Sequence, residues 1–101
     1  MAIDLFCYSS LQLPQVKEAL SRLFLQHQEL FANKFLISDV RQSSDVGKEV
    51  ALEHGLHAQC LFLIRVNDKT ATGLLPTVVG VVKNVLGDSN TVILFEGEDR
   101  L

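Results

Sequence analysis

Cys7, near the end of an apolar run, and the segment His54-Gly55-Leu56-His57-Ala58-Gln59-Cys60 hold the side chains best suited to chemistry in this chain. A thiolate at Cys7 can carry a phosphoryl group if a cation lowers its pKa and a glycine-rich or C-x5-R loop holds the phosphate. The loop Tyr8-Ser9-Ser10-Leu11-Gln12-Leu13-Pro14 has no glycine, and Leu13 stands where that arginine would be. No C-x-x-C pair suggests redox work. His54, His57 and Cys60 are zinc-ligand types, with Glu53 adjacent. Gly55, however, should end a helix between the histidines, and Cys60 should enter a strand. His54 is better explained as a cation near a helix C-terminus. His27 falls on an apolar helical face, where a packed histidine is the simpler reading. Ser9 and Ser10 lack a G-x-S-x-G elbow, and neither glycine-rich phosphate cradle follows a strand. No catalytic residue, metal ligand or cofactor is assigned.

The remaining composition narrows the class. With 101 residues and 48% apolar content, the chain suits one α/β domain over residues 1–101 with a single core. Its net charge of −3 argues against a general nucleic-acid binder, which needs a basic face. No run reaches the roughly 20 apolar residues of a membrane span. The N-terminus also lacks the basic region of a secretory signal. The expectation is a cytoplasmic protein with no membrane or nucleic-acid partner, its cysteines reduced and buried.

Four apolar runs, Ile3–Tyr8, Phe35–Val40, Gln59–Val66 and Thr91–Phe95, alternate with three amphipathic stretches. Pro14 opens the first helix, whose apolar stripe runs from Leu13 through Leu23 and His27 to Phe31, with Asn33 as its terminator. Ser43, Ser44 or Asp45 caps the second, with Val46, Val50, Ala51 and His54 on one stripe. Gly55-Leu56 ends it as a Schellman pair. Pro76 opens the third, lined by Leu75, Val78, Val79, Val82, Val85 and Leu86, and Gly87 stops it. Helix-length crossovers between strands predict a doubly wound three-layer α/β domain. It has four mostly parallel strands in the order 2-1-3-4 and three helices, the last strand's direction left open.

Parallel strands would gather their following loops at one edge, where ligands and partners bind. That rim would hold Ser9, Ser10 and Gln12 together with charged turns. Asp39, Arg41, Asp68, Lys69, Glu96, Glu98 and Asp99 are accordingly the expected partner-binding residues.

Met1–Tyr8, Lys34–Ser38, Asn67-Asp68-Lys69 and Val92–Glu96 resemble segments of small bacterial immunity proteins of contact-dependent or bacteriocin-like toxins. The resemblance implies a cytoplasmic, non-enzymatic protein that binds and blocks one toxin domain. Such toxins are often nucleases with basic clefts, which a mildly acidic partner complements. Two rival readings remain. In size and strand alternation the chain is also similar to cysteine phosphocarriers and low-molecular-weight phosphatases, which would make Cys7 a nucleophile. Alternatively, the short strand Phe35–Ser38 at a sheet edge would serve self-association in a structural or oligomerisation domain.

Overall fold

The computed structural model describes residues 3–31, 34–67, 69–96 and 99–101. Asn33, Asp68 and Glu98, named above, lie outside the described residues.

Apolar alternation at both faces makes β1 (Ile3–Ser9) a central strand. Helix α1 (Leu13–Gln26) begins with Pro14 in its first turn, and Gln15 Oε1 accepts from the Gln12 amide at 3.0 Å. Its expected single stripe to Phe31 is broken at His27 (φ −129°, ψ 40°), which separates α1 from the one-turn α2 (Gln28–Phe31). Phe31 still reaches the core, edge-on to Phe24 and Phe35. Only the first half of the second apolar run is strand, β2 (Phe35–Ile37), and a further two-residue strand, β3 (Arg41–Gln42), lies just beyond the run. Both pair with β4 (Cys60–Val66), but Ile37 faces Ile64 while Arg41 faces Leu61. Residues 38–40 therefore lie opposite only 62–63, so one extra residue bulges out of this edge.

Helix α3 (Asp45–Glu53) is capped by Ser44, whose hydroxyl accepts from the Gly47 amide at 3.1 Å. It ends as expected. The Gly55 amide donates to Leu52 and the Leu56 amide to Ala51, with Gly55 at φ +81°, a Schellman closure. Val46, however, is 70% exposed, because only Gly47 and Ala51 of this helix are fully buried. A 3-10 turn (Lys69–Leu74) leads into α4 (Leu75–Leu86), which Pro76 opens and Gly87 (φ +93°) ends. The chain closes with β5 (Thr91–Phe95) and β6 (Asp99–Arg100).

The sheet runs β2-β4-β1-β5-β6 with β3 beside β2 on the same edge, and every pairing is antiparallel. This corrects the expected four mostly parallel strands in the order 2-1-3-4 with three helices. β1 and β2 do point the same way after the α1–α2 crossover, as do β4 and β5 after α4. Each crossover, however, skips one position, and an antiparallel strand fills the gap: β4 in one case, β1 in the other. These are two interlocked split β-α-β units, the ferredoxin-like pattern. Right-handed crossovers starting from opposed strands and travelling in opposite directions place their helices on one face. Accordingly α1 and α4 share a core with Leu5, Cys7, Phe62, Ile64 and Ile93. On the other face, α3 packs through Ala51 against Tyr8, Val92 and Leu94.

Candidate functional site

The antiparallel sheet separates the expected rim. Ser9 pairs with Cys60 and Thr91, the first residues of β4 and β5. The turn after β1 therefore lies at the opposite end from those after β4 and β5. Asp39 and Arg41 are exposed on the β2–β3 edge, whereas Asp99 lies on β6 at the other. Four strand spacings, roughly 19 Å, separate those edges. Lys69 opens the 3-10 turn. Glu96 follows β5 beside the first residues of β1. Its amide donates to Asp4 O at 2.8 Å, and its Oε1 accepts from the Asp4 amide at 3.3 Å. Among the described contact residues expected from sequence, Glu96 is the one whose side chain is hydrogen-bonded to a neighbouring strand, at Asp4.

That arrangement extends across the sheet. Asp4 faces Arg65 on β4, and Arg65 faces Leu36 on β2. Arg65 Nε donates to Asp4 Oδ1 at 2.9 Å and its Nη2 donates to Oδ2 at 3.4 Å. The hydrogen bond to Asp4, and then its charge, raise the guanidinium pKa further. Leu36, Arg65, Asp4 and Glu96 thus form one cross-strand row, about 14 Å long at three strand spacings. Glu96 holds φ +55°, the one described non-glycine residue in the left-handed region.

The next rows on the same face are Leu63–Phe6–Leu94 and Leu61–Tyr8–Val92. Leu94, Tyr8 and Val92 are buried in the α3 core, with Phe6 and Leu61 packed against it. The outer row belongs to no such cluster, and Leu36 remains 53% exposed. Beside the row lies a depression of about 260 Å³ lined by Asp4, Leu36, Ile37, Ser38, Leu63 and Arg65. Ser38 fixes its rim, accepting from the Leu63 amide at 2.8 Å through Oγ and donating its own amide to Leu63 O. A signal for this row was present in the sequence: Asp4 and Arg65 are the lone charges in two otherwise apolar strands. Leu36 carried none.

The catalytic alternatives lose their footing. Cys7 is fully buried, and desolvation pushes its thiol pKa well up, the reverse of what a nucleophile needs. Cys60 is buried with its Sγ 3.3 Å from Leu11 O, and burial raises its pKa too. No metal-ligating cluster occurs among the described residues. His54 instead closes α3, its carbonyl accepting from Arg100 Nη1 at 3.2 Å.

Comparison with known proteins agrees with a binding role. The family described as CDI System Immunity Component matches residues 1–99. Immunity protein CdiI-2 of Burkholderia pseudomallei (strain 1026b) is 41% identical over 100 residues, covering 99% of each chain. A solved chain from a CdiA-CT/CdiI toxin and immunity complex of Burkholderia pseudomallei superimposes with a TM-score of 0.93 at 40% identity. That match covers 97% of this chain and 95% of the other. The chain belongs to the CDI System Immunity Component family.

Proposed function

We propose that this protein binds a cognate CdiA-CT toxin domain and blocks it, without catalysing a reaction. The observation that carries this reading is the end-to-end likeness, in both sequence and fold, to an immunity chain solved as part of a toxin complex. Burial of both thiols supports binding over thiol chemistry. The net charge of −3 suits a partner with a basic surface.

The reading includes a cytoplasmic location and folding of residues 1–101 as one unit. Among the described residues, no helix is long and apolar enough to cross a membrane. The charged residues expected from sequence enter as rim contacts. Asp39 and Arg41 would act on the β2–β3 edge, Lys69 and Glu96 just after β4 and β5, and Asp99 on the β6 edge; Asp68 and Glu98 are proposed from sequence alone. Because the edges lie far apart, one compact epitope would engage only a subset of them.

Co-purification tests the reading. A tagged copy expressed with the cognate CdiA-CT domain should recover that domain through washes that remove an unrelated CdiA-CT domain. Recovery of neither, with both proteins folded, would contradict it.

A further inference from the structure

We propose that the outer row of the sheet face left open by α3 is the surface that receives the toxin. The row Leu36–Arg65–Asp4–Glu96 would supply its specificity. This rests on the immunity reading above and adds to it the place and chemistry of contact.

Three observations converge on the row. First, α3 covers Tyr8, Val92 and Leu94 but stops short of the last rank of the same face, leaving Leu36 exposed at a strand position. Second, the depression beside Leu36 holds about 260 Å³. That is below the usual range of a small-molecule pocket and suits one bulky apolar side chain of a partner. Third, the charges around it are fixed in place. Two bonds hold the Arg65 guanidinium to Asp4, and two more join the backbone of Glu96 to that of Asp4 and its carboxylate to the Asp4 amide. Non-glycine residues held at positive φ cluster at ligand clamps, and Glu96 (φ +55°) is such a residue.

Charge complementarity then describes the occupant. The row presents an apolar end, a cation, and two carboxylates, in that order, at strand spacing. A matching toxin segment carries a large apolar side chain for the depression, an acceptor opposite Arg65, and a lysine or arginine over Asp4 and Glu96. A polyanionic nucleic acid would meet those carboxylates and be repelled. Desolvated apolar anchors ringed by preorganised charges are where binding energy concentrates.

The test titrates the purified cognate CdiA-CT domain into the wild-type protein, Leu36→Asp, Arg65→Gln and Leu52→Asp. Leu52 is a control, exposed on α3 outside the depression. The expected result is a Kd raised at least about 30-fold by Leu36→Asp and about 10-fold by Arg65→Gln, with Leu52→Asp binding like wild type. Melting curves confirm that each variant folds, and Arg65→Gln preserves the test should Leu36→Asp not fold. Wild-type affinity in both row variants would overturn the proposal while leaving the immunity reading intact. So would weakening confined to Leu52→Asp, or loss only of self-association in Leu36→Asp. Absence of binding by the wild-type protein would instead refute the immunity reading itself.

Discussion

Asp4 and Arg65 face each other across β1 and β4, with Nε 2.9 Å from Oδ1, at the end of the sheet that α3 leaves uncovered. The arginine side chain remains about half exposed, 55%, in this pair. Exposed ion pairs contribute little to folding, since water screens them and two long side chains must be held still. Asp4→Asn and Arg65→Gln should therefore leave thermal midpoints close to the parent's. A midpoint drop as large as that of a core truncation would show the pair to be structural.

The load on the core is of another order. Phe62 is 1% exposed on the α1–α4 face of β4. Phe62→Ala should cost about 3–5 kcal/mol of unfolding free energy in urea titration, from lost transfer and the cavity left behind. A cost below about 1 kcal/mol would contradict the packing described.

Gly55 provides a backbone test. Its φ of +81° closes α3, and beyond its own chain neighbours nothing crowds the place a Cβ would occupy. The penalty in Gly55→Ala is therefore conformational, about 1 kcal/mol. Unchanged stability would mean that the Schellman closure is absent in solution.

Burial fixes the direction of pH dependence. The pKa values of Cys7, Cys60 and Tyr8 are all raised by desolvation, from ordinary values of 9.0 for the thiols and 10.0 for the phenol. The unfolded chain loses these protons first. The stability conferred by keeping the groups neutral is therefore complete below their unfolded pKa values and declines as pH rises above them. Thermal midpoints should be flat in this respect through pH 8 and fall above about pH 9, less steeply in Cys7→Ala. In the native state at pH 7.5, Cys7 should resist iodoacetamide and react only after denaturation. Ready native alkylation of Cys7 would restore the thiol reading.

The local punctuation was legible in the sequence: Pro14, Pro76, Gly55-Leu56 and Gly87 stand where helices start and stop. These signals act through one residue's own φ or missing amide, so a single chain contains all the information. Strand order was not legible. Whether the strand after a crossover lands beside its predecessor or one position beyond depends on which other strand fills the gap, a long-range choice. Ile3–Ser9 and Cys60–Val66 are apolar on both faces either way. The expected convergence of loops at one edge fails with the sheet topology, because parallel strands would have brought Ser9 together with Glu96 and the antiparallel ones place them at opposite ends. Asp4 and Arg65 were readable as lone charges in apolar strands, but their pairing required the register.

Growth protection is the most direct test of the central claim. Cells expressing the cognate CdiA-CT domain should survive when the chain is co-expressed, and die when it is replaced by an immunity protein of a different CdiA-CT type. Equal killing with and without this chain, at matched levels of folded protein, would contradict the account.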